Sequence, residues 1–297
     1  MRRCVMGGPG RKLRELIGRG ETVLAAGCYD PLTAKLAERL GFEAAYLGAG
    51  TVGYILNVTE AMITVTEMAT AIRQVTQKTR IPLIVDGATG FGEPLHTMRT
   101  VREYERAGAA AIEIEDQIVP KRAHHHKGVE HLVPLEAMVD KVKAAVAARE
   151  DADFIIIART NAMRNEGLSQ AIERGRAYRQ AGADMILVGG RTREEAELLH
   201  REIGAPLVTF AMPGMVERLN IAVKDMAKIG YPLLLEPHAA LISAFRAVRD
   251  TMRELKETGT TSLDPAEVTA IMQEINQAVD LPDYWRLEEL TVEKPAR

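Results

Sequence analysis

Asp86, Glu115 and Arg159 each stand at the end of a short apolar run, in PLIVDG, AIEIED and FIIIART. His238 follows another such run in LLLEPHAA, and Glu113 lies inside the second one. Carboxylates without cysteine or clustered histidine beside them are hard oxygen donors, which suit Mg2+ or Mn2+ held with retained waters. An arginine facing such an ion suits a small substrate that carries carboxylates or an oxyanion. Singly, each residue has a plain structural role. Asp86 before Gly87 can cap a turn, Arg159 can pair with Glu115, and His238 can be a loop histidine. Their recurrence at run ends is what points to a site. The small residues Gly48, Ala49, Gly50 and Thr51 close a further run, where backbone N–H groups can approach a carboxylate or phosphate oxygen. GATGFG after Val85-Asp86 is not the G-x-G-x-x-G dinucleotide fingerprint.

Three consecutive histidines, His124, His125 and His126, follow Lys121 and Arg122 in EDQIVPKRAHHHKG. Neighbouring residues in a loop rarely converge on one ion, and hard Mg2+ prefers oxygen. The three are therefore read as loop residues, with His124 and His126 structural or solvent-facing.

The elements that must position these groups follow a refrain of amphipathic helix pattern, glycine, then a buried-strand run, as in YERAGAAAIEIED. Eight candidate strands fall at roughly 22–26, 44–48, 82–86, 110–115, 154–158, 184–188, 205–209 and 231–235. Helical patterns such as TEMATAIRQVTQKT and LEAMVDKVKAAVAARE fill most gaps. Repeated β-then-α units predict an α/β fold, a (β/α)8 TIM-type barrel, in preference to an open doubly wound sheet. A parallel barrel collects reactive groups at the C-terminal ends of its strands, where the residues above stand. No linker interrupts the series, so residues 1–297 read as a single barrel domain. A flexible arm is expected at 1–11, and C-terminal helices and tail from about 241 to 297, available for oligomer contacts.

Composition narrows the partners. The chain has 297 residues, 46% hydrophobic and 27% charged, with a net charge of −3 and both signs interspersed. Nothing in that balance calls for nucleic acid or a membrane surface. Cys4 and Cys28 have neither metal-type spacing nor a disulfide framework, which suits a reducing cytoplasm. No apolar run approaches the roughly 20 residues of a membrane span, and the start lacks the apolar core of a signal peptide.

GCYDPLTAKLAERLGFEAAYLGAG, PLIVDGATGFGEP, AGAAAIEIEDQIVPKR, FIIIARTNA and AYRQAGAD together resemble the isocitrate lyase/phosphoenolpyruvate mutase superfamily, over roughly residues 12–290. The resemblance implies an α/β barrel that exchanges a C-terminal helix between subunits, usually as a tetramer built from helix-swapped dimers. It also implies Mg2+ held on carboxylates, with 2-oxo or 2-hydroxy acids positioned on the metal. Asp86 falls on a metal ligand, Glu115 on an acid that holds metal-bound water, and Glu60 near an Asp of the metal's outer shell. Arg159 falls on a substrate-binding Arg, with Asn161 beside it, while Ala49, Gly50 and Thr51 align with the loop that cradles the substrate carboxylate. Lys121 and His125 keep the K-R-x-x-H frame of the loop that closes over substrate, and with Arg159 they are the expected catalytic residues.

Three departures matter. Ala88 replaces the second Asp of the D-A-D-x-G-[YF]-G motif, Glu60 is longer than the Asp it replaces, and Ala123 replaces the loop cysteine, with His124 in place of glycine. In the lyases that cysteine is the general acid for the second carbanion, and losing a positioned acid costs about 10²–10⁴ in rate. A decarboxylase needs no such acid, because CO2 leaves. MRTVREYERAG, RQAGADMILVGGRTREEAELL and PHAA resemble the oxaloacetate decarboxylase branch, where His238 matches a substrate-contacting histidine. The expected function is metal-dependent carbon–carbon cleavage of a small 2-oxo or 2-hydroxy dicarboxylate, with oxaloacetate decarboxylation to pyruvate and CO2 the leading reaction. Two alternatives stay open. One is retro-aldol cleavage of a substituted malate or methylisocitrate-type substrate, with His124 or His125 replacing the cysteine. The other is a non-catalytic metabolite binder.

Overall fold

The computed structural model describes residues 8–293, which fall into two compact units divided after Ala239. In the first, eight parallel strands close into a barrel in chain order. They are β1 (Val23–Gly27), β2 (Ala44–Leu47), β3 (Leu83–Asp86), β4 (Ala111–Glu115), β5 (Ile155–Arg159), β6 (Met185–Leu187), β7 (Leu207–Phe210) and β8 (Leu233–Leu235). Each expected strand lies within about two residues of an observed one, and closure of β8 onto β1 excludes the open sheet.

The helices around the barrel are α1 (Pro9–Ile17), α2 (Pro31–Arg39), α3 (Ala49–Ile55), α4 (Val65–Thr76), α5 (Pro94–Arg106), α6 (Leu135–Ala148), α7 (Ala162–Asn165), α8 (Leu168–Gln180), α9 (Arg193–Ile203) and α10 (Met215–Leu219). Local chemistry starts them. Asp30 and Thr64 form capping boxes with Thr33 and Glu67 at the heads of α2 and α4.

The arm expected at residues 1–11 needs correction. Residues 1–7 lie outside the described residues, and Pro9 opens a helix whose Leu13 and Leu16 are buried among inward residues at the starts of strands, including Val23 and Ile155. Pro at the first helical position is pre-set for this geometry. Gly10 allows α1 to lie close, since a Cβ there would sit 2.4 Å from the Asp153 carbonyl oxygen. Arg14 fastens the far side through an ion pair to Asp184 at 2.8 Å.

The period-2 alternation of strands then fixes what faces the barrel axis. Ala44 and Tyr46, Ile84, Ala111, Ile155 and Ile157, and Val208 belong to the interior cluster. Two residues beyond Ile84, Ala111, Ile157 and Val208 come Asp86, Glu113, Arg159 and Phe210, so these point inward at the C-terminal rim. Register sets the neighbours: Asp86 lies beside Glu113, and Glu115 beside Arg159.

The second unit holds most of α11 (Ala239–Thr258) together with α12 (Pro265–Ala278) and α13 (Leu281–Thr291). Asp264 caps α12 by accepting from the Ala266 N–H. None of the three helices buries a residue, and Phe245, Met252 and Trp285 are exposed. Among the described residues no helix is long and apolar enough to cross a membrane.

Candidate active site

A cavity of about 230 Å³ opens at the C-terminal rim, walled by Asp86, Glu60, Lys121, His125, Arg159 and His238 among others. Asp86 ends β3 and is buried. Its Oδ2 accepts from the Ala49 N–H at 3.1 Å and its Oδ1 from the Ala88 N–H at 2.7 Å. Burial, reinforced by the charges of Glu113 and Glu60, pushes its carboxyl well above the usual carboxylate range. Ala88 holds φ at +46°, a conformation that Asp or Asn tolerates better than Ala.

Opposite stands a ladder of charge. Lys121 bridges Glu60 and Glu115, meeting Glu115 Oε1 at 2.5 Å. His125 adds its Nε2, 3.1 Å from Glu60 Oε2, while its Nδ1 contacts the Arg122 carbonyl at 2.7 Å. Burial works against the Glu60 charge, but the His125 hydrogen bond and Lys121 outweigh it and bring the carboxyl down to about 2. Glu115 is held below its usual value in the same way, by Lys121 and Arg159 against burial. The hydrogen bond to Glu60 raises His125 above an ordinary histidine. His126 rests on Thr59 Oγ1 at 3.0 Å. The loop after β4, which includes a short turn at Ala123–Lys127, is therefore latched onto the segment after α3. His124 makes no contact of this kind and is exposed.

Arg159 is anchored from below. Its Nη1 donates to Glu113 Oε1 at 2.8 Å, its Nε donates to Asn161 Oδ1 at 3.1 Å, and Glu115 Oε2 lies 3.5 Å away. The guanidinium sits 5.1 Å from the Phe210 ring centre, a cation–π geometry. Tyr46 donates its hydroxyl to Glu113 Oε2 at 3.0 Å, and burial, then Glu113, pushes that phenol well above its ordinary value.

Not every expected residue reaches the cavity. Gly50 lines it, but the Ala49 N–H is committed to Asp86, and Thr51 donates to the Pro237 carbonyl at 3.1 Å with His238 Nδ1 at 3.3 Å. Glu115 is fully buried beneath Lys121. Asn161 gives its side-chain amide to Glu115 Oε2 at 2.8 Å. Sequence reasoning missed Tyr46, whose strand AAYL reads as plain apolar filling, and Glu130, which pairs with Arg164 at 2.6 Å on the cavity wall. It also missed the role of Asp116. This buried carboxylate accepts from the Tyr178 hydroxyl at 2.9 Å, the Asn161 N–H at 3.0 Å and Arg174 at 3.4 Å. It thereby ties the ends of β4 and β5 together.

Whether these residues suit a divalent cation turns on the donor set. Among the described residues no three His, Cys, Asp or Glu side chains are arranged as a cage. That excludes a site built from protein ligands alone, not Mg2+, which is held through one or two carboxylates plus water and substrate. Asp86 stands at the cavity with Glu60, Glu113 and Glu115 raising its affinity for positive charge. The residues fit an oxygen-seeking divalent ion, and Asp86 is the cavity carboxylate that would hold it.

The chain is similar to several known proteins. The family model for phosphoenolpyruvate phosphomutase matches residues 13–256. A 2-methylisocitrate lyase of Aeropyrum pernix is 43% identical over 254 residues, 85% of this chain and 81% of that protein. A 2,3-dimethylmalate lyase of Eubacterium barkeri is 38% identical over 256 residues, covering 84% and 87%. An oxaloacetate decarboxylase of Paraburkholderia xenovorans is 35% identical over 279 residues, covering 92% and 90%. Among solved structures, 2,3-dimethylmalate lyase aligns with a TM-score of 0.85 at 28% identity, over 97% of this chain and 96% of the other. A phosphonopyruvate hydrolase complexed with oxalate and Mg2+ aligns at 0.81 and 29%, covering 97% and 100%.

Proposed function

Because the chain belongs to the phosphoenolpyruvate phosphomutase family, we propose that it is a Mg2+- or Mn2+-dependent carbon–carbon lyase acting on a small 2-oxo or 2-hydroxy dicarboxylate. The observation that carries this is the convergence of Asp86, Arg159 and the latched Lys121 on one small cavity at the barrel rim. A cation held by Asp86 supplies, when bound, Lewis-acid charge toward a substrate oxygen. The chain's own residues do the rest. Arg159, held by Glu113 and Glu115, presents fixed positive charge to the oxyanion that develops when the bond breaks, and needs no reorganisation to do so. The Lys121–Glu60–His125 latch holds the loop after β4 as part of the cavity wall. His238, backed by Thr51, faces the cavity as a substrate contact.

Decarboxylation of oxaloacetate is the leading reaction, supported by the absence of a loop thiol at Ala123 and by the oxaloacetate decarboxylase relatives. The test is pyruvate release from oxaloacetate with Mg2+ and purified protein. Rates no higher than the metal alone gives would refute it. A retro-aldol cleavage is favoured by one specific observation: His125 stands on the cavity wall with its Nε2 3.1 Å from Glu60 Oε2, a hydrogen bond that raises it above an ordinary histidine and so favours its proton-bearing form. His125→Ala should then stop cleavage of a substituted malate while leaving its binding intact. A non-catalytic metabolite binder would be recognised by a calorimetric titration in which Mg2+ gives no heat. We further propose that copies associate through the C-terminal helices, a dimer of helix-swapped dimers, since Phe245, Val248 and Met252 are exposed along α11. Light scattering that finds a monomer would refute that assembly.

A further inference from the structure

Glu130 lies toward the far end of the loop after β4, where α7 holds it. Arg164 Nη1 donates to its Oε1 at 2.6 Å, and the Asn165 side-chain amide donates to its backbone carbonyl. The side chain is 2% exposed and stands on the wall of the catalytic cavity. Among the described residues of that wall, Glu130 Oε2 is the only buried side-chain oxygen without a hydrogen-bond partner. Such an oxygen is costly as part of a carboxylate and far less so with a proton on it. Burial accordingly raises the carboxyl above its usual range, against Arg164 and Arg159 and with help from Glu115 and Asp116.

The other acid–base groups on this wall have partners. Lys121 is held by Glu60 and Glu115. His125 meets Glu60 through one ring nitrogen and the Arg122 carbonyl through the other. His126 lies between Tyr54 and Thr59, Tyr46 gives its hydroxyl proton to Glu113, and His238 meets Thr51 through Nδ1. Glu130 is left as a buried acid with an uncommitted oxygen. The cavity is about 230 Å³, small enough that a four-carbon acid bound there touches its walls.

We propose that Glu130 is the acid that protonates the carbon freed when CO2 leaves. This rests on the decarboxylation reading and deepens it. The bond between the departing carboxylate of oxaloacetate and the adjacent carbon breaks, and its electron pair stays behind as the enolate of pyruvate. Glu130 Oε2 gives its proton to that carbon, the O–H pair remains on Glu130, and water restores the proton once pyruvate has left. Arg164, already 2.6 Å from Oε1, answers the charge that remains on Glu130. The reverse step is removal of a methyl proton from pyruvate by ionised Glu130.

Two readouts on the full chain with Mg2+ test this: CO2 release from oxaloacetate, and exchange of the pyruvate methyl protons in D2O followed by NMR. The native chain should do both. Glu130→Gln keeps an acceptor for Arg164 but has no acid proton, so exchange should fall by at least about 100-fold. CO2 release should fall by a smaller factor, because the enol can leave and take its carbon-bound proton in water. Glu130→Asp, an acid on a shorter stem, should recover part of the exchange, and both variants should bind oxalate as the native chain does. Exchange that persists in Glu130→Gln, or a native chain that releases CO2 without exchange, overturns the proposal and leaves the lyase reading standing. Equal loss of exchange, CO2 release and oxalate binding marks a merely structural residue and also overturns it. A native chain that neither exchanges nor releases CO2 above the metal background refutes the decarboxylation reading, and the acid role falls with it.

Discussion

Glu60→Gln isolates the latch over the cavity. Glu60 is the shared anion of Lys121 and His125, both on the loop after β4, and its side chain is only 10% exposed. Those partners draw its carboxyl from 4.5 down to about 2, a depression equivalent to about 3 kcal/mol of coupling between charge and loop. Glutamine keeps the shape and one acceptor but no charge, and Lys121 retains Glu115. The loop should therefore lose about 2–3 kcal/mol of closure, a shift of about 30- to 160-fold toward opening. Hydrogen exchange reads this directly at the His125 and Gly128 amides, which donate to the Arg122 and His125 carbonyls in the closed loop. The protein is first freed of divalent ions with a chelator. The pH dependence has two sides. Glu60 is depressed, so its contribution is full above 4.5 and fades as pH falls toward 2. His125 is raised, so its contribution is full below 6.5 and fades as pH climbs through the raised value. Protection should peak between those limits and flatten in Glu60→Gln. Loop exchange within about twofold of the native rate at pH 6 would refute the latch.

Ala88→Asp should bind Mg2+ or Mn2+ at least about tenfold more tightly in a calorimetric titration, since a carboxylate returns beside Asp86 and Asp tolerates the +46° backbone better than Ala. Gly10→Ala should cost about 1–3 kcal/mol in urea denaturation, because its Cβ would meet the Asp153 carbonyl at 2.4 Å and lift α1 from the barrel. Tyr178→Phe should cost about 1–3 kcal/mol and lower kcat, because it removes the donor to buried Asp116 at 2.9 Å and loosens the join between β4 and β5.

What the sequence made legible follows from what is local. Asp86, Glu115 and Arg159 were readable because a strand's last residue is marked by the run before it and a parallel barrel puts reactive groups there. Tyr46 was not, and Glu113 was visible only as an acid inside its run, although both point inward. Their roles depend on β2 and β4 meeting across β3 inside a closed barrel, and AAYL carries no mark of that. Asp116 needs Tyr178, 62 residues away, and Arg174, 58 away. Glu60 was located through resemblance alone, and its bond to His125 spans 65 positions. The histidines separate only in three dimensions. His125 joins the latch, His126 rests on Thr59, and His124 faces solvent.

The alanine at position 88 bears on what the substrate must be. On the proposed reading Asp86 is the one carboxylate that would meet the cation directly, since Ala88 carries none and Glu60 and Glu115 are engaged by Lys121. A metal so sparsely held by protein depends on ligands that arrive with the substrate, and adjacent oxo or hydroxy and carboxylate oxygens are the groups that chelate a hard ion. Metal and substrate affinity must then be coupled, and equilibrium coupling is reciprocal. Oxalate should tighten Mg2+ binding by at least about tenfold, and Mg2+ should tighten oxalate by the same factor. Ala88→Asp should shrink both factors together, because more of the metal's affinity then comes from the protein. Paired titrations in which either ligand ignores the other would refute direct contact between them and leave Arg159 alone to hold the anion.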